Sequence, residues 1–263
     1  MAKAPEKQEE KNLPAVKEEA GLPMGIEFTT DDVHAGFEET DASSYAIPFL
    51  RILQAISPQA KKSNAAYIDG AEEGDFFNTV NERLYKGEQG VIVIPVHYKH
   101  VYNEWQPNRG GFRGQHTAGS YALLNKAIRK DDKGNDFEAN AETGNQLVDT
   151  REHYVMIIEE DGGLTPALIA LTSSELKKSK KWMTFMRELK ISGKPVPMQS
   201  QMYRITPTPE SNDKGDWMGH KIEHIGSVQM IEQYQSAKEF YEMVRSGKAA
   251  PAQPIDVDGE GPF

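Results

Sequence analysis

The stretch that most limits how this chain can fold is residues 91–105, VIVIPVHYKHVYNEW. Its β-branched and aromatic residues favour an extended backbone. Val91, Ile92, Val93 and Ile94 run unbroken, the pattern of a strand covered on both faces. After Pro95 the run turns polar and aromatic, and on a strand Tyr98, His100 and Tyr102 share one face.

The flanking sequence supplies partners for such a strand. Tyr45 to Ile56 is densely apolar, and Pro48 restricts it to an edge strand or an irregular lead-in. Asp75 to Val80 reads as a strand, joined to 91–105 through a turn containing Gly87 and Gly90. Arg151 to Glu159 and Leu164 to Leu171 form a hairpin across Gly162-Gly163; Met198 to Thr206 and Asp216 to Val228 form another across Ser211 to Gly215. Thr172-Ser173-Ser174-Glu175 has the spacing of a capping box, opening a helix to about Ile191 that Ser192 to Pro195 stops. Met230, Tyr234, Ala237, Tyr241 and Val244 recur at helical spacing, which predicts a helix over 230–246 with Gly247 just past its end. Residues 106–148 show no sustained period beyond a short helix at Tyr121 to Arg129, and read as a long loop or insertion.

These elements predict a mainly β chain with added helices (α+β). Among small antiparallel barrels the OB-fold fits best: five strands with a helix between the third and fourth, where the 172–191 helix falls. The expected organisation is a disordered acidic N-terminal arm (1–40), an OB-like core (41–228), a C-terminal helix (229–248) and a flexible acidic tail (249–263). That helix could pack on its own barrel or self-associate through its Tyr and Met face.

A net charge of −10 over 263 residues argues against nucleic acid until its distribution is read. Residues 1–40 hold ten of the acids and four of the bases, and the last ten residues hold three more acids. The middle is near neutral. The absence of cysteine fits a reducing cytoplasm, and no apolar run or leader-like start points to a membrane.

Within that middle, aromatic and basic residues interleave. Tyr98, Lys99, Tyr102 and Trp105 run into Arg109, Phe112 and Arg113 on a Gly-rich loop. Rings can stack on unpaired bases, at about 1–3 kcal/mol each, while Arg and Lys hold phosphates. Tyr98 and Tyr102 would serve equally well as half-buried sheet residues. Lys177, Lys178, Lys180 and Lys181 cover one side of the expected helix, opposite Trp182, Phe185, Met186 and Leu189. That patch suits phosphate, and equally plain solubility. Tyr203, Arg204, Lys214 and Trp217 could extend the same groove.

The chain then ends in a linker, spaced carboxylates Asp256, Asp258 and Glu260, and Pro262-Phe263. A terminal ring beside a carboxylate can enter an apolar pocket rimmed by Arg or Lys. This ending resembles the acidic tip of bacterial and bacteriophage single-stranded DNA-binding proteins, which finish in acids followed by Pro-Phe. It departs from them in interposing Val257 and Gly259. The phrases IPFLRILQAISP, GDFFNTV, VIVIPVHYKHVYNEW and PESNDKGDW, spread over about 45–228, also resemble a bacteriophage family of similar length thought to bind single-stranded DNA.

The resemblance implies an OB-fold protein that protects unpaired DNA in phage replication, recombination or repair, and recruits partner proteins through Asp256, Asp258, Glu260, Pro262 and Phe263. No catalytic residue, metal or cofactor is expected. His97 and His100 would face opposite sides of a strand, and His220 with His224 lacks a third ligand. No phosphate loop or nucleophile elbow occurs, and acids such as Asp69, Asp75, Glu152 and Glu159 are too scattered to indicate a nuclease. The alternatives are a strand-annealing recombinase and a protein-binding regulator of a host enzyme.

Overall fold

The computed structural model describes residues 36, 46–107, 111–213 and 215–252. Residues 40–263 form one compact unit, separate from 1–39. Its elements, in order, begin with β1 (Ala46–Ile47), β2 (Leu50–Ile52), β3 (Phe76–Asn78) and β4 (Leu84–Tyr85). The long β5 (Val91–Trp105) leads to β6 (Phe112–Thr117), α1 (Ala118–Leu123), β7 (Lys126–Lys130) and β8 (Asp136–Asn140). Then come β9 (Gln146–Ile158), β10 (Leu164–Thr172), α2 (Leu176–Glu188), β11 (Lys190–Ile191) and β12 (Lys194–Pro195). The chain continues through β13 (Gln201–Asn212), β14 (Gly215–Ser227), α3 (Ile231–Arg245) and β15 (Ala250–Pro251). The fold is mainly antiparallel β with three α-helices among the described residues, the α+β class expected.

β5 and β9 pair antiparallel along almost their whole length, from Ile92↔Ile158 to Trp105↔Gln146. Pro95 has no N–H to give to the ladder, and the register shifts between Pro95 and His97, leaving Val96 unpaired. At the 91–93 end the outer edge of β5 takes β13, with β14 beyond it, and at its far end it takes β6. β9 likewise carries β10 at one end and β8, then β7, at the other.

The strands at the two ends of this order, β14 and β7, do not pair with each other, so the described residues form no closed barrel. The reason lies in the apolar runs. Val91 and Val93 join Val155 and Ile157 on one face, where α2 covers them through Trp182 and Met186. Ile94, Val96, Tyr154 and Met156 lie on the other, under Ala237, Phe240 and Val244 of α3. A sheet apolar on both faces needs a helix on each, whereas a barrel strand buries only one. Each large side chain sealed between the layers contributes about 1.5–3 kcal/mol.

The described residues of the 106–148 segment are folded rather than a loop. Thr117 Oγ1 caps α1 by accepting from Ser120 N at 3.2 Å, and the helix covers 118–123 instead of 121–129. Lys126–Lys130, expected as its continuation, is a strand paired with Asp136–Asn140. The capping box is also absent: a 3₁₀ turn over Ser173–Glu175 precedes α2 without a side-chain cap. The Glu175 carboxylate instead meets Lys178 Nζ at 2.7 Å and His220 Nδ1 at 2.9 Å. On α3 the buried stripe is Gln233, Ala237, Phe240 and Val244, about one residue off the expected one, with Met230 half exposed. Residues 250–251, expected within a flexible linker, pair in parallel with Ala46–Ile47.

Candidate nucleic-acid interface

Beyond α2 and α3, the far half of the sheet divides its side chains between two faces. Paired residues of an antiparallel ladder point to the same side, and alternate residues along a strand share a face. Tyr98, His100, Tyr102 and Glu104 therefore lie beside His153, Arg151, Asp149 and Leu147, on the α2 side. Lys99, Val101, Asn103 and Trp105 lie beside Glu152, Thr150, Val148 and Gln146, on the α3 side. The rings grouped by sequence are thus divided: Tyr98 and Tyr102 are on one face, Trp105 on the other.

The α2-side face is committed to internal bonding. Arg151 Nη1 donates to Tyr98 OH at 3.0 Å and Nη2 meets Asp149 at 2.9 Å. Tyr98 packs on His153, which lies flat on Trp182 and sits 2.8 Å from Ser179 Oγ. Burial holds the His153 pKa down at about 3, so the ring is neutral. Tyr102 stacks face to face on Tyr121 of α1, centroids 3.5 Å apart and planes 4° off parallel, and burial raises its pKa. The Tyr121 hydroxyl, its pKa raised by burial and then by the bond, donates to Glu138.

Glu104 ties the 106–148 segment to β5. Its carboxylate accepts from Thr143 Oγ1 and Asn145 Nδ2 at 2.7 Å each, and His116 Nε2 lies 2.7 Å away. Burial alone would raise its pKa, but these donors, with Asn140, hold it at about 2.

The α3-side face is buried over Val101, Asn103, Ala139, Val148 and Thr150, and partly exposed at Trp105, Phe112, Phe137 and Gln146. Trp105 and Phe112 meet edge to face, centroids 5.5 Å apart, and both are half-buried. Gln146 connects Trp105 to Ala139 of β8, and two-residue steps place Phe137 and Arg129 on this same side. Lys99 lies 4.9 Å over the Tyr154 ring. Arg113 is the extra residue of a bulge opposite Glu104/Trp105; it is exposed and donates to Gln106.

The carboxylates of these strands are segregated between the faces, although Lys126, Lys130 and Arg151 also lie on the α2 side. Glu104, Asp136, Glu138 and Asp149 all alternate onto the α2 side. Glu152 is the one carboxylate of β5–β9 on the α3 side, and it is 2 % exposed. It accepts from Gln115 at 2.7 Å and Tyr154 at 3.0 Å, and burial pushes its pKa up. Arg129, by contrast, has no hydrogen-bond or ion-pair partner among the described residues.

The other expected binding residues lie elsewhere. Lys177, Lys180 and Lys181 are exposed on α2, and Lys178 is held by Glu175 and Glu210. Tyr203 is 1 % exposed and packs edge-on against Trp182. Its hydroxyl is buried with no hydrogen-bond partner among the described residues, and burial pushes its pKa up to about 12. Arg204 is exposed on β13 and Trp217 is half-buried on β14. Arg109, Lys214, Asp256, Asp258, Glu260, Pro262 and Phe263, and the 1–40 arm apart from Gly36, lie outside the described residues. Phe137, Arg129 and Gln146 carry no local signal of a binding role in the sequence beyond the alternation of Phe137 with Ala139 on a polar strand.

No group of three His, Cys, Asp or Glu among the described residues could hold a metal ion. Asp75 is bound to Lys86 and Glu159 to Arg83. No helix among the described residues is long and apolar enough to cross a membrane.

The family model described as Pam3 phage gp34-like protein matches residues 17–250, and the chain belongs to that bacteriophage family. No curated protein and no solved structure matches.

Proposed function

We propose that this member of the Pam3 phage gp34-like family binds single-stranded DNA with little base preference, as a non-catalytic coat in phage replication, recombination or repair. The observation that carries the reading is the α3-side face of the far sheet. It carries half-buried Trp105, Phe112 and Phe137 beside exposed Arg129, with Lys99 six residues back along β5, while the acids of the same strands turn to the opposite face or are buried. Stacking on a ring is tolerant of sequence, and cations beside it track the phosphates. Duplex DNA hides its base faces and should bind more weakly. The acidic tail, Asp256, Asp258, Glu260, Pro262 and Phe263, is proposed to recruit replication or recombination proteins.

The test is fluorescence anisotropy of the full chain with an oligo-dT and with a duplex of equal length. Tighter binding of oligo-dT, a steep loss with salt, and quenching of tryptophan emission that disappears in Trp105→Phe support the reading. Equal affinity for duplex, or binding undiminished in a Trp105→Ala/Phe112→Ala double variant, overturns it. Deleting 256–263 should leave oligo-dT binding intact or tighter, and weaker binding on deletion contradicts the role given to the tail.

A further inference from the structure

Resting on that reading, a second feature of the same face specifies how a base is held. β8 and β9 share a single register pair, Ala139↔Gln146, before the β7–β8 hairpin leaves the sheet. A cleft of about 190 Å3 opens there, lined by Pro107, Arg129, Asp131, Phe137, Gly144 and Gln146 among others. That volume is below the roughly 300–1,000 Å3 of pockets that enclose a drug-sized ligand. It suits one planar ring. We propose that one base of the bound strand enters this cleft against Phe137, with its phosphate drawn to Arg129.

The neighbours of Arg129 explain why it is the available cation. Lys130 is paired with Asp136 at 2.8 Å. Asp131 is taken up by its own turn, accepting from Asn135 N at 2.7 Å, Lys133 N at 2.9 Å and Asn135 Nδ2 at 3.0 Å. Gly144 has φ +76°, a conformation that favours glycine, and the Arg129 guanidinium lies against it, 3.2 Å from where a Cβ would stand. The Gln146 amide offers a donor and an acceptor, which meets the edge of any base. Asp132 also lines the cleft, so the phosphate belongs on the Arg129 side.

The experiment uses the full chain and an oligo-dT of about 12 nucleotides, within the range one such site covers, carrying 5-iodouracil. Ultraviolet cross-linking and peptide mass spectrometry should place an adduct on Phe137. Adducts confined to Trp105 or Phe112 would overturn the inference. In parallel, Phe137→Leu keeps the apolar volume and removes the ring; a loss of roughly 5- to 150-fold with the salt slope unchanged is expected. Arg129→Gln should weaken binding and flatten the slope by about 0.7. Wild-type affinity in both variants defeats the cleft alone. A wild-type chain that binds no oligo-dT defeats the wider reading, and the cleft with it. If Phe137→Leu melts early, the wild-type cross-link decides.

Discussion

Oε2 of Glu104 lies 2.7 Å from Nε2 of His116, and that contact joins two strands the sequence left unconnected. Asn140, Thr143 and Asn145 close on the same carboxylate from β8 and its turn. Glu104→Gln keeps the shape but removes the charge that strengthens four bonds and turns an amide toward donors of which only Asn140 is fully buried. A loss of about 2–4 kcal/mol is expected, lowering the melting midpoint by roughly 5–15 °C for a domain of this size. Hydrogen exchange should rise in 112–117 and 136–146 before it rises in β5 and β9. Uniform protection in the variant would contradict this anchoring role.

The fold should lose stability in mild acid, with His153 as one source. Its folded pKa of about 3 lies below its ordinary value of 6.5, because charging it would place an imidazolium between Trp182, Tyr98 and Ser179. The unfolded chain takes up that proton as pH falls through 6.5, while the folded chain does not until about 3. Stability is therefore full above pH 6.5 and falls by up to about 1.4 kcal/mol per pH unit below it. Glu104, held near 2, adds the same sign of dependence only below about 4.5. Urea melts at pH 7, 5.5 and 4 should show the decline, and His153→Gln should flatten it between 6.5 and 4.5. An unchanged slope in that variant would exclude His153 as the source.

Much of the core was legible from apolar runs and turn glycines. The bounds of β5, the two hairpins, and both long helices follow from them, because a strand sealed on two faces and a helix with one apolar stripe leave strong patterns. The same run, VIVI, already spoke against a barrel, since a strand apolar on both sides needs a layer over each. The 106–148 segment was illegible for the opposite reason. β6, β7 and β8 are short and polar, and they are held by Glu104 and by cross-strand pairing rather than by buried apolar area. The division of Tyr98 and Tyr102 from Trp105 follows from counting residues along β5. The closeness of Phe112 to Trp105, and of Arg129 to Gly144, required the pairing of strands that no local pattern announces.

Tyr203 gives a direct contrast between a ring in the core and a ring on the surface. Its hydroxyl is buried with no hydrogen-bond partner among the described residues. Tyr203→Phe removes that unmatched group and keeps the packing on Trp182, so stability should stay level or rise by about 1 kcal/mol. DNA affinity should not change. A loss of affinity with the melting curve intact would return Tyr203 to the binding surface.

The lysines of α2 should contribute nothing to DNA binding, despite being the densest basic run in the middle of the chain. Trp182 anchors α2 on His153, and His153 pairs with Tyr98, so the helix covers the face away from Trp105 and Phe112. Lys178 is already spent on Glu175 and Glu210. A Lys177→Gln/Lys180→Gln/Lys181→Gln variant should therefore keep wild-type affinity for oligo-dT and the same salt slope. Lys99→Gln with Arg129→Gln removes two cations from the proposed face and should flatten the slope by about 1.4, since each phosphate contact to a single strand adds about 0.7. Were the triple variant to lose about 2 from the slope and the double variant nothing, the DNA would lie across α2, and the proposed face would be wrong.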